Sequence, residues 1–193
     1  MLSLTACNLC PRLCGIDRRT ARGCCGAGER ARVALVSLHK WEEPCLIGAD
    51  GKGAGTVFFS HCNLRCCYCQ NHEISHGGKG ETVTDERLAE IFLEQQERGA
   101  ATLDLVTPTH YAVQILHALA IAKAKGFSLP VVYNTSGYER TETLEALAGH
   151  VDIYLPDLKY GDEKSARAYS RAADYFKVAS RAICRMVEQV GTV

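Results

Sequence analysis

Apolar and polar residues follow different patterns on the two sides of residue 50. Residues 1–50 are rich in Cys, Arg and Gly and show little periodicity, apart from one short apolar run, Val33–Leu38, that reads as a strand. Residues 48–56 carry four glycines and read as a turn or a join. From residue 56 onward, β-rich runs alternate with amphipathic ones. Thr56–Ser60 is a strand. Residues 84–98 form a helix with Thr84 as its cap, Asp85 and Glu86 at the positive end of its dipole, and Leu88, Ile91, Phe92 and Gln95 on one face. Gly99 ends it. Strands are expected at 102–106, 130–134 and 151–155. Helices are expected at 108–125, 141–148, 163–172 and 175–189.

Strand–helix alternation at this spacing predicts βαβ units on a parallel sheet. Right-handed crossovers would curl that sheet towards a barrel, with ligands at the C-terminal strand ends. The polar clusters fall there: 60–69, 107–110, 134–137 and 157–159. The expected fold is thus α/β, a partial barrel of about four βα units (residues 51–193) behind a small Cys-rich module (residues 1–50). Four strands do not close a barrel, so the sequence is expected to be part of a longer protein.

Charge narrows the picture little. Lys plus Arg and Asp plus Glu each number 22, which offers no electrostatic reason to bind nucleic acid or an anionic membrane. No run reaches the roughly 18 apolar residues of a membrane span. Cysteine is the outlier, with 11 residues concentrated in the first 70 positions. With no signal peptide in view, clustered cysteines suggest metal binding in a reducing cytoplasm rather than disulfides.

Cys62, Cys66 and Cys69 follow a C-x3-C-x2-C spacing in the loop after the first parallel strand. Three thiolates on a 4Fe–4S cluster leave one iron open for a ligand, as a catalytic zinc keeps a free position. The alternative is part of a zinc site, although zinc favours four ligands and C-x2-C pairs. Cys67 offers a rival register and is read as a small buried residue.

This motif, with Tyr68 before its last cysteine, resembles that of the radical S-adenosylmethionine (SAM) superfamily. The resemblance implies that Cys62, Cys66 and Cys69 ligate the cluster and that Tyr68 lies near the adenine. It also implies that reductive cleavage of SAM yields methionine and a 5′-deoxyadenosyl radical that abstracts hydrogen. The second strand end, Val106–His110, departs from the family's Gly-Gly-Glu-like segment; Thr107 and Thr109 can still offer oxygen acceptors there, and Thr109 can equally cap the following helix. Asn134-Thr-Ser-Gly and Asp157-Leu-Lys159 are similar to segments of glycyl-radical activating enzymes, which makes Asn134, Asp157 and Lys159 candidate cofactor contacts. His110 is a candidate acid/base, with a structural histidine as the more ordinary alternative.

Near the N-terminus, Cys7, Cys10, Cys14 and Cys25 can form a four-thiolate site for zinc or a second iron–sulfur cluster, with Cys24 as a substitute for Cys25. Phrases along the whole chain, from Cys7–Gly15 through Cys69–Ser75 and Leu105–His110 to Tyr133–Tyr138, resemble the pyruvate formate-lyase activating enzyme-like radical SAM proteins. That resemblance implies an electron donor such as flavodoxin or ferredoxin and a protein substrate bearing a glycine. The alternatives are a small-molecule or RNA substrate, or a non-catalytic zinc module.

Overall fold

A computed structural model describes residues 1–192. One six-stranded sheet organises them, in the order β3–β1–β2–β4–β5–β6. The strands are β1 (Arg32–His39), β2 (Ala54–Phe59), β3 (Glu81–Thr82), β4 (Thr102–Val106), β5 (Val131–Thr135) and β6 (Ile153–Pro156). The four strands β2, β4, β5 and β6 are parallel, as the alternating pattern predicts. β1 runs antiparallel to β2, so residues on both sides of the glycine-rich 48–56 segment share one sheet. This is a mixed α/β fold with four parallel strands in β/α succession, as in a partial barrel, and a Cys-rich N-terminal segment.

The helices are α1 (His72–Ser75), α2 (Asp85–Glu97), α3 (Ala112–Ala124), α4 (Thr141–Leu147), α5 (Glu163–Ser170) and α6 (Tyr175–Val190). In α2 the Thr84 side chain accepts the Arg87 N–H at 3.2 Å, which satisfies one open donor of the first turn. Its buried face carries Leu88, Ala89, Ile91, Phe92 and Gln95, which meet Val57, Phe59, Leu103 and Leu105 in the main core. Each large apolar side chain buried there contributes roughly 1.5–3 kcal/mol before entropic costs.

The helix expected from Pro108 begins later. Residues Thr109–Tyr111 form a single 3₁₀ turn, and α3 starts at Ala112. Thr109 and His110 hold their side chains in buried hydrogen bonds to Glu139 and to the Ser60 carbonyl. That geometry keeps them out of the regular first turn of α3.

A smaller apolar cluster forms under the cysteine loop. Leu64, Cys66, Tyr138, Tyr160, Tyr175 and Val178 pack together, with Cys62 and Cys69 against them. This cluster joins α5 and α6 to the C-terminal ends of the parallel strands.

Candidate functional site

Register brings Phe58, Val106, Asn134 and Leu155 into one row at the C-terminal end of the parallel sheet. Above that row opens a cavity of about 460 Å³. Cys62, Cys66, Cys69 and Tyr68 line it together with Thr107, Asn134, Asp157 and Lys159. Residues from four separate strand ends thus converge on one space.

The cysteine loop is held from several directions. The Asn63 side chain is fully buried and donates to the Tyr138 carbonyl at 2.7 Å. Arg12 reaches across from the N-terminal segment and donates to the Asn63 carbonyl at 3.0 Å and the Ser170 carbonyl at 2.8 Å. Its guanidinium also lies 5.2 Å from the Tyr138 ring centre, a cation–π geometry. Three non-glycine residues around the cavity have left-handed backbone: His61 (φ 72°), Arg65 (φ 55°) and Thr107 (φ 60°). Such strain persists where surrounding contacts over-determine the conformation, and it concentrates at functional sites.

Two sulfurs accept hydrogen bonds, Cys62 from the Leu64 N–H at 3.4 Å and Cys69 from the Ser75 hydroxyl at 3.3 Å. Burial pushes the Cys62 thiol up to about 11, against the backbone N–H groups of Arg65 and Leu64. A bound metal would offset that cost, because metals take thiolates as ligands. Among the described residues, no three His, Cys, Asp or Glu side chains converge closely enough to hold a single metal ion. Thiolates of a 4Fe–4S cluster bind different irons and stand further apart than ligands around one ion. Three soft donors bordering one cavity, two of them accepting hydrogen bonds, suit such a cluster.

In the same cavity, Lys159 Nζ lies 2.6 Å from Asp157 Oδ2. Burial lowers the Lys159 ammonium, but the Asp157 carboxylate outweighs it and the net shift is upward. The fully buried Tyr175 of α6 braces both strand-end loops. Its hydroxyl accepts the Lys159 N–H at 2.8 Å and donates to the Ser136 carbonyl at 2.7 Å. Arg12, Asn63 and Ser75 lie inside the motif segments 7–15, 62–69 and 69–75, but the motifs assign them no role, and Tyr175 lies in no motif.

Thr109 and Cys67 sit differently from expectation, and His110 takes the more ordinary of its two expected places. Thr109 is buried away from the cavity, with its hydroxyl donating to the Glu139 carboxylate. His110 is buried, its Nε2 is 2.9 Å from the Ser60 carbonyl oxygen, and burial lowers its pKa to about 3. It is therefore a neutral, structural imidazole. Cys67 is exposed rather than buried, because its backbone N–H is committed to the Tyr169 carbonyl at 2.8 Å and its side chain faces solvent.

The N-terminal thiols are neighbours. Burial raises the Cys25 thiol, with Cys7 and Cys14 adding to the shift, and Cys10 is raised by burial with Cys25 and Cys14 nearby. Cys24 is exposed, while Cys25 is buried. Cys14 Sγ accepts the Cys24 N–H and Cys25 Sγ accepts the Ala27 N–H, each at 3.4 Å.

Comparison with known proteins agrees with this geometry. Residues 56–189 match the radical SAM superfamily model, and the chain belongs to that superfamily. It is 29% identical over 184 residues to an uncharacterised protein of Methanocaldococcus jannaschii, covering 91% of this chain and 52% of that protein. It is also 29% identical over 140 residues to the pyruvate formate-lyase-activating enzyme of Clostridium pasteurianum, covering 68% of this chain and 56% of that enzyme. The chain thus spans about half the length of the curated relatives it matches. Among the described residues, no helix is long and apolar enough to cross a membrane.

Proposed function

We propose that Cys62, Cys66 and Cys69 hold a 4Fe–4S cluster and that the cavity beside them binds SAM, with a glycine of a protein partner as the hydrogen donor. The observation that carries this reading is the shared cavity: three thiols of one loop face polar groups from the β4, β5 and β6 ends. Bound there, the cluster would supply the electron that splits SAM into methionine and a 5′-deoxyadenosyl radical. The chain's own residues would do the positioning. Tyr68, 55% exposed at the rim, offers its ring to the adenine. Asn134 and Asp157 can accept hydrogen bonds from the ribose hydroxyls or the amino group, and Lys159 can pair with the methionine carboxylate. Tyr175 keeps the last two loops in register.

The protein-partner reading draws support from the similarity to a pyruvate formate-lyase-activating enzyme and from the neutral net charge, which gives no basis for RNA. A flavodoxin or ferredoxin is the proposed electron source. Cys7, Cys10, Cys14 and Cys25 are proposed as ligands of a second metal centre; as placed, no three of them converge on a single ion, so an iron–sulfur cluster suits them better than zinc, and the buried Cys25 is preferred to the exposed Cys24 as the fourth ligand. A cytoplasmic setting fits these chemistries.

Full-length protein, reconstituted anaerobically and reduced with dithionite, should release 5′-deoxyadenosine from SAM. A fully cluster-loaded sample that releases none would sink the proposal.

A further inference from the structure

A second cavity, of about 430 Å³, lies on the other side of His61 and contains none of the cluster cysteines. Five arginines line it, Arg18, Arg19, Arg22, Arg30 and Arg32, against a single carboxylate, Glu29. Asp17, just outside, is occupied by Arg19 at 2.6 Å. Arg18, Arg22, Arg30 and Arg32 form no ion pair among the described residues.

Arg18 is the unusual member. It is 2% exposed, and only its Nη1 has a partner, the His110 carbonyl. Its Nε and Nη2 are buried with no hydrogen-bond partner, and so is the Nε of Arg32. The Arg18 guanidinium is also held 5.5 Å from the Tyr111 ring centre. A buried guanidinium with two unused donors costs far more than a solvated one unless an anion completes it. Backbone and ring hold that guanidinium in place, so its open donors stay aimed at the cavity.

We propose that this cavity binds a small molecule through a phosphate or diphosphate group. Guanidinium forks match the oxygens of a phosphate, and several charges of one sign around a small volume favour a multiply charged anion. The volume suits a phosphorylated metabolite. SAM, which carries a sulfonium, is the wrong charge for this space. Arg18 and Arg32 form the floor, and Arg19, Arg22 and Arg30 form the mouth. His61 lines both cavities, so the anion site adjoins the cysteine loop at its first residue.

The test is calorimetric titration of inorganic phosphate and pyrophosphate into the full-length protein at low ionic strength. Wild type is compared with Arg18→Gln, with Arg22→Gln and with the remote control Arg98→Gln. Arg22 is exposed, so its substitution leaves the core intact even if Arg18→Gln does not fold. Saturable one-to-one binding of pyrophosphate, tighter than phosphate, is expected. Arg22→Gln should weaken it about tenfold, as expected for loss of one charge-assisted contact, and Arg98→Gln should leave it unchanged. Absence of saturable binding, or equal binding by wild type and Arg22→Gln, would overturn the proposal. So would displacement of pyrophosphate by SAM, or malonate binding as tightly as pyrophosphate.

Discussion

Arg12 Nε donates to the carbonyl oxygen of Asn63 at 3.0 Å, which ties the loop between Cys10 and Cys14 to the loop between Cys62 and Cys66. The two cysteine loops are therefore mechanically coupled. Arg12→Ala removes this contact and those to Leu64 and Ser170. It is expected to destabilise the fold by roughly 2–3 kcal/mol, the worth of one or two charge-assisted hydrogen bonds. Iron content should fall with it. Thermal melts and iron analysis of the variant check both.

Replacing Cys62, Cys66 and Cys69 together by Ala should remove about four irons per chain, the content of one 4Fe–4S cluster. Cys67→Ala should remove none, because its side chain faces solvent. Metal that survives in the triple variant would report on Cys7, Cys10, Cys14 and Cys25. Iron, sulfide and zinc analysis of anaerobic preparations measures all three outcomes.

Thr107 is β-branched and has φ of 60°, a conformation that glycine adopts without penalty. Thr107→Gly is expected to stabilise the fold by about 1 kcal/mol through relief of that strain. The same change removes a side chain from the cavity wall, so SAM affinity should fall while the melting temperature rises. Opposite signs in the two measurements would mark strain kept for the site.

Tyr175→Phe keeps the buried ring but strips the hydroxyl that joins the Lys159 N–H to the Ser136 carbonyl. Leaving those groups unpaired should cost about 1–3 kcal/mol. SAM binding should weaken further than stability alone explains, because the Asp157–Lys159 loop loses its brace. Equilibrium binding to the folded variant tests this.

Asp104 is fully buried on β4, and burial, with Glu42 adding, raises its carboxyl to about 7. In the unfolded chain the group ionises near its ordinary value of 3.8. Between those limits unfolding releases a proton, so stability falls as pH rises towards 7 and is flat above it. Asp104→Asn should match wild type near pH 4 and be more stable at pH 7 and above, by a few kcal/mol. Denaturant melts at the two pH values decide the matter. An unchanged difference between them would contradict it.

Local pattern carried the parallel core of the fold. The caps and apolar spacing of α2, the β-rich runs of β4 and β5, and the glycines at 99 and 126 act within a few residues of themselves, so their effects are visible in a linear string. The two-residue β3 and the four-residue α1 are too short to create a period and carry no such signal. The cysteine motif was readable for a related reason: thiols that share one loop are close in sequence as well as in space.

Distance along the chain separates what the sequence determined from what folding decided. Spacing placed Cys62, Cys66 and Cys69 on one loop after the first parallel strand, and the strand–helix alternation put the polar strand ends in the same cavity. Tertiary structure decided that Thr109 and His110 are buried supports, because their partners Glu139 and Ser60 lie 30 and 50 residues away. It likewise decided that Arg12 braces the cysteine loop across 51 residues and that Arg18 is fixed on His110 across 92. No periodicity links such pairs. Only the packing of the strand ends on one another, and of the N-terminal segment on them, brings such pairs together.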